Sequence, residues 1–188
     1  MMKKTNKGPC IGLKIIILLI IAAGCSTPKT DISDVFHYNF SLISPPTGTL
    51  SFEDKDIRFT FEPEEDDIKI LLENRGTYPI KINWEKSSYV DNDGISHHLV
   101  TKKVKYEDKD KPQEPTVINP KSGLTEWIMP ADNIDRSFLV WKIKPMFPEL
   151  KTPAIIDTWD RTTFKVMLPV EINGEPKNYE FVFKVKTR

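Results

Sequence analysis

Apolar residues at every second position, in short runs divided by turn signals, constrain this chain more than any other feature. Phe164, Val166, Leu168, Val170 and Ile172 are spaced by two, Asn173-Gly174 follows, and Tyr179, Phe181, Phe183 and Val185 resume the spacing. Successive side chains of a strand point to opposite faces, so a period of two marks a strand with one face buried. Asn-Gly accepts positive φ at both central positions of a two-residue turn, which makes the two runs a hairpin. The apolar row is expected in the core, and Lys165, Glu171, Glu180, Lys184 and Lys186 are expected in water. Pro169 and Pro176 lack a backbone donor, so part of this hairpin is expected at a sheet edge.

The same alternation recurs upstream. Ile57, Phe59 and Phe61 share one face of residues 56–62, Ile68, Ile70 and Leu72 follow an acidic turn at 64–67, and Ile80, Ile82 and Trp84 continue the theme. Ser88-Tyr89-Val90 and residues 95–101 flank Asp91-Asn92-Asp93-Gly94, a second legible turn. Further strands are expected at 35–42, 124–129 and 138–143. Long loops are expected at 102–115 and at 144–160, the latter carrying Pro145, Pro148 and Pro153. Nothing keeps a 3.6-residue period long enough to predict a substantial helix. Short strands at this spacing predict an all-β, antiparallel two-sheet sandwich of immunoglobulin-like type, forming one domain over 35–188. With 188 residues, 39% of them apolar, the chain can bury a core without disulfide staples. Its 27 basic and 27 acidic residues cancel, which argues against a nucleic-acid partner.

The N-terminus follows other rules. Lys3, Lys4, Lys7 and Lys14 form a basic head without an acid, and Ile15 to Ala23 is a run of nine apolar residues. That run is too short to span a bilayer, which takes about 20 residues. A basic head, a short apolar run and small residues together form an export signal. Ala22-Ala23-Gly24-Cys25 resembles the lipobox of bacterial lipoprotein precursors. The resemblance implies cleavage between Gly24 and Cys25, with diacylglycerol carried on the Cys25 thiol. It divides the chain into a signal peptide at 1–24, a lipid-anchored tether at 25–34 and the β-domain. Ser26, in place of an aspartate, implies the outer rather than the inner membrane. Cys10 leaves with the signal, so Cys25 is the single cysteine of the mature chain and no internal disulfide is expected. Losing four lysines leaves 23 basic against 27 acidic residues, a net charge of −4, so acyl chains rather than charge must hold the membrane.

A second resemblance covers Ile80-Lys81-Ile82-Asn83-Trp84, Ser87-Ser88-Tyr89-Val90-Asp91 and Gly94. This segment is similar to the N-terminal half of poorly characterised bacterial lipoproteins, where such a strand precedes a hairpin with a D-x-x-G turn. It implies a β-sandwich and brings no activity.

Chemical constellations are sparse. Setting Gly94 at the sixth position of a calcium loop places Tyr89 first and Val100 twelfth, where oxygen ligands are required. The match fails, and a hairpin turn accounts for the residues. Residues 64–67 are expected to be a solvated acidic turn. His97 and His98 are neighbours on a strand, point to opposite faces and cannot share an ion; with His37 they complete the histidines. They are read as chance polar positions on an exposed strand. No nucleophile elbow and no phosphate-cradling glycine loop occurs in the sequence. Among the four tryptophans, Trp84, Trp127, Trp141 and Trp159, Trp84 is assigned to the core, and Trp127 and Trp159, beside proline-rich segments, are the better candidates for exposure.

These readings converge on a non-enzymatic, lipid-anchored envelope protein with a binding or structural role. Its expected partners are the membrane, through Cys25, and an envelope protein or a glycan; no metal, cofactor or catalytic residue is assigned. The alternative is a carbohydrate-active or other periplasmic hydrolase with dispersed carboxylates, which two facing acids in one cleft would favour.

Overall fold

The alternating runs become antiparallel strands whose apolar rows are buried. A computed structural model describes residues 38–137 and 140–187. They lie within one compact unit, Asp31–Arg188. Gly24, Cys25, the tether and His37 lie outside the described residues, as do positions 138 and 139. In chain order the strands are β1 (Tyr38–Ser44), β2 (Ser51–Glu53), β3 (Ile57–Pro63), β4 (Ile68–Asn74), β5 (Ile80–Ile82), β6 (Ser88–Val90) and β7 (Ser96–Thr101). There follow β8 (Thr116–Ile118), β9 (Gly123–Pro130), β10 (Ile134–Ser137), β11 (Val140–Ile143), the helix α1 (Pro153–Trp159), β12 (Thr163–Ile172) and β13 (Glu175–Thr187).

Eleven strands share one sheet in the order β1-β13-β12-β6-β7-β9-β4-β3-β2, with β5 beside the far part of β12 and β8 beyond β5. The outermost strands of that order, β1 and β2, are consecutive in the chain, and a bridge between Ile43 and Pro46 lies in the connection between them. The sheet is therefore nearly closed, and the fold is all-β. Strands β10 and β11 pair only with each other.

Inside, an aromatic row on β3 faces one on β13. Phe61 lies 4.7 Å from Phe181 and 5.0 Å from Phe183, centroid to centroid, and Phe59 lies 4.9 Å from both Tyr179 and Phe181. These rings are buried. Removing each from water contributes about 1.5–3 kcal/mol, and edge-on contact adds to it.

The C-terminal hairpin has the expected register. Phe164, Val166, Leu168 and Val170 are buried with Tyr179, Phe181, Phe183 and Val185, while Lys165, Glu180, Lys184 and Lys186 are exposed; Ile172 and Glu171, near the tip, are half-buried. Asn173 and Gly174 have φ of 53° and 82°, as the turn requires. Pro176 lies in the stretch of β13 that precedes its pairing with β1, where β12 is its one ladder partner among the described residues. Pro169 differs from expectation. It sits inside the sheet, in the gap between the part of β12 paired with β6 and the part paired with β5. No neighbouring strand asks for its missing donor there, and its carbonyl accepts from the Asn83 N–H at 3.0 Å.

Other elements also depart from the sequence reading. Trp84 is buried, as assigned, but it begins a 3-10 turn over Trp84–Lys86 rather than ending a strand. Asn83 caps that turn, and the indole N–H donates to Thr116 Oγ1 at 2.8 Å. The expected loop at 144–160 contains α1, with Pro153 in its first turn and Thr152 Oγ1 accepting from the Ile155 N–H. Proline fits the start of a helix because the N–H it lacks is unpaired there anyway. The short strands β2, β8 and β10 were not expected.

Candidate functional site

Three turns meet at the end of the sheet where β3 begins and β4 ends, and the buried Asn74 binds them together. Its Nδ2 donates to the carbonyls of Tyr78 at 2.8 Å and Ile118 at 2.9 Å, and its Oδ1 accepts from the Gly76 N–H at 3.0 Å. The N–H groups of Arg75 and Gly76 reach the Asp56 carbonyl at 2.7 and 3.0 Å. Between these turns lies an open recess of about 760 Å³, whose charged lining is Glu53, Asp54, Lys55, Glu73, Arg75 and Lys121. Gly123 lies against its floor, where a Cβ would approach the Leu72 carbonyl to 3.1 Å.

Charge pairing organises the outer face of β2, β3 and β4 beside the recess. Arg58 stands between two acids, with Nη2 at 2.5 Å from Glu53 Oε2 and Nη1 at 3.3 Å from Glu73 Oε2. Arg75 Nη1 reaches the same Glu53 oxygen at 2.6 Å. Hydrogen bonds from Arg58 and Arg75 hold the Glu53 carboxyl below the usual carboxylate range. A second recess, lined by Pro45, Pro46, Phe52 and Thr60, borders the other side of the Glu53–Arg58–Glu73 row. Glycoside hydrolysis asks for one carboxyl kept protonated, its pKa raised. Glu53, shared between two guanidinium groups, is tuned the opposite way, and the row presents paired charges on the face of the sheet.

At the floor, Asp54 joins the β2–β3 turn to β13. Its Oδ2 accepts from Lys177 Nζ and Tyr179 Oη, both at 2.6 Å, and its Oδ1 accepts from the N–H groups of Asp56 and Ile57. Burial raises its pKa, but the bonds from Lys177, Tyr179 and the two amides outweigh burial and bring it to about 2.

The residues singled out in the sequence are scattered by the fold. Asp91 Oδ1 accepts from the N–H groups of Asp93 and Ile95 at 2.9 and 2.8 Å, an Asx-closed hairpin turn. In the acidic turn Glu64 and Glu65 are exposed as expected, whereas Asp67 is buried against Lys102 Nζ at 2.6 Å. His97 is no chance surface position, since both its ring nitrogens bond carboxylates, while His98 meets Gln113. Trp127, Trp141 and Trp159 are all half-buried; Trp127 carries Lys102 over its ring, and Trp159 packs on Tyr38 and Phe147. Among the described residues no group of three or more His, Cys, Asp or Glu side chains is placed to hold a metal ion. The charged row of Glu53, Arg58, Glu73 and Arg75 was missed. Its outward facing is implied by the alternation around Phe59, but its pairing depends on the register of three strands.

No protein-family model, curated protein or solved structure matches the chain.

Proposed function

We propose that this chain is a lipid-anchored protein of the bacterial cell envelope whose β-domain has a binding or structural role. The observation that carries the proposal is Ala22-Ala23-Gly24-Cys25 closing a basic and then apolar N-terminal run. Cys25 receives the lipid, cleavage falls after Gly24, and Ser26 favours the outer membrane over the inner. Fully extended, the chain from Ser26 to Tyr38 reaches at most about 40 Å, enough for the domain to meet partners away from the bilayer. The architecture that best fits the domain is an immunoglobulin-like two-sheet sandwich. It is supported by the facing aromatic rows of β3 and β13, which pack without sharing a ladder, as stacked layers do. The paired charges around Glu53, Arg58, Glu73 and Arg75 suit a polar partner surface, an envelope protein or a glycan.

Metabolic labelling tests the anchor. When the full chain is expressed in a Gram-negative host with labelled palmitate, wild type is expected to take up label and sediment with membranes. Cys25→Ser is expected to remain unlabelled. Equal labelling of the two would overturn the proposal.

A further inference from the structure

His97 lies between two carboxylates that belong to different elements. Its Nε2 is 3.0 Å from Asp91 Oδ2, in the β6–β7 turn, and its Nδ1 is 2.9 Å from Asp132 Oδ2, in the 3-10 turn Ala131–Asn133 that follows β9. Carboxylates only accept hydrogen bonds, so both contacts are satisfied together only when both ring nitrogens carry protons. We propose that His97 is a proton-dependent clamp that fastens the 3-10 turn and the attached β10–β11 hairpin to β7 when charged and lets them go when neutral.

The surroundings give the imidazolium no substitute. Asp67, Glu126 and Asp54 are each paired with a lysine, but among the described residues Asp91 and Asp132 have His97 as their sole ion-pair partner. From β6, Tyr89 presents its ring to His97 at 6.1 Å; burial first, and then the Asp91 charge, push its hydroxyl upward, so it stays neutral. Asp93 is exposed in the same turn, and His98, next along β7, is engaged by Gln113. Burial lowers the pKa of His97, but the bonds it donates to Asp132 and Asp91 outweigh burial and leave the pKa above the ordinary 6.5. The stability it contributes is therefore fully present below that ordinary value and is lost as pH rises through the raised one.

Deprotonation leaves one N–H for two acceptors. Asp91 is the better placed to keep it: its side chain is 21% exposed, against 67% for Asp132, and the turn amides fix it. The neutral ring then carries its proton on Nε2, and its bare Nδ1 repels Asp132. The link that opens is the one to Ala131–Asn133. Beyond that turn lie β10 and β11, which share no ladder with the main sheet; the Lys144 N–H on the Asn133 carbonyl closes their own pair, and buried Ile134, with Trp141 and Ile143, packs them on the core. Opening this clamp thus acts on an element that side-chain packing, and no ladder with the main sheet, holds in place.

The test is a pH titration of the full chain in detergent micelles, followed by histidine ring NMR and backbone amide exchange. His97 is expected to titrate above 6.5, to become the Nε2–H tautomer, and to show a matching step in exchange at residues 131–136. That step is expected to stand clear of the intrinsic pH dependence, as a loss of protection at 131–136 that follows the His97 titration. Asp132→Asn, an exposed and mild change, is expected to lower the His97 pKa and abolish the step, and His97→Gln is expected to abolish the step. A His97 titration at or below the ordinary value, or exchange at 131–136 without a step, would overturn the clamp.

Discussion

Asp54 shows how one carboxylate can close a sheet. All four of its hydrogen bonds favour the charged form, and its side chain is 22% exposed, so much of their effect survives solvent screening. Its folded pKa of about 2 lies below the ordinary 3.8 of an aspartate, so its contribution is present above that ordinary value and is lost as pH falls through the folded one. Asp54→Asn is expected to cost about 2 kcal/mol at pH 7, the linkage equivalent of the shift, and nearly nothing at pH 2. Urea denaturation at the two pH values checks this; an equal cost at both would mean that the residue acts through packing alone. Neither Asp54 nor His97 was legible as a site. Their types are ordinary for turns and strands, and their partners Lys177 and Asp132 lie 123 and 35 residues away. Residue chemistry is readable in a sequence, whereas a long-range partner is fixed only by strand order.

The longest alternating elements were the most legible. The hairpin of β12 and β13 could be placed because ten and thirteen residues repeat one alternation on either side of a turn that admits positive φ. The three residues of β2 or β8 hold too little of a period to register; β2 becomes a strand on the ladder of the longer β3, and β8 on that of β5, which is itself paired with β12. Helix α1 was hidden by Pro145, Pro148 and Pro153, which look like breakers although Pro153 starts the helix. The hairpin register yields a graded set of outcomes. Phe181→Ala is expected to destabilise the domain by about 3–5 kcal/mol, since the ring contacts Phe59, Phe61 and Phe52 in the core. Lys184→Ala, on the opposite face, is expected to cost within about 0.5 kcal/mol. Gly174→Val has a different cause. Nothing lies within 4 Å of an added Cβ, so its cost is backbone strain at φ 82°, about 1–3 kcal/mol. Chemical denaturation ranks the three; equal effects for Phe181→Ala and Lys184→Ala would contradict the register.

At the scale of the whole molecule, the sheet joins the two ends of the described chain. Tyr38 pairs with Thr187 and Leu42 with Phe183, so the first strand is completed by the last. Such non-local pairing is expected to fold in milliseconds to seconds rather than microseconds, because the chain must be gathered before its contacts form. It also makes the core continuous. Leu42 and Trp84 are both buried in one hydrophobic cluster, although β1 lies at an end of the strand order and Trp84 follows β5 on the other side of β12. If that cluster is one cooperative unit, a cavity made at β1 must be felt at Trp84. Leu42→Ala is expected to lower global stability by about 2–5 kcal/mol, the usual cost of truncating a buried leucine. The Trp84 indole N–H, bonded to Thr116 Oγ1, reports the other side of the core. Under conditions where it exchanges by global opening, its protection is expected to fall by the same free energy that urea unfolding gives for the variant. A variant that loses stability by urea while the Trp84 proton keeps its protection would show that β1 melts alone, and that near-closure of the sheet does not bind its ends into one cooperative fold.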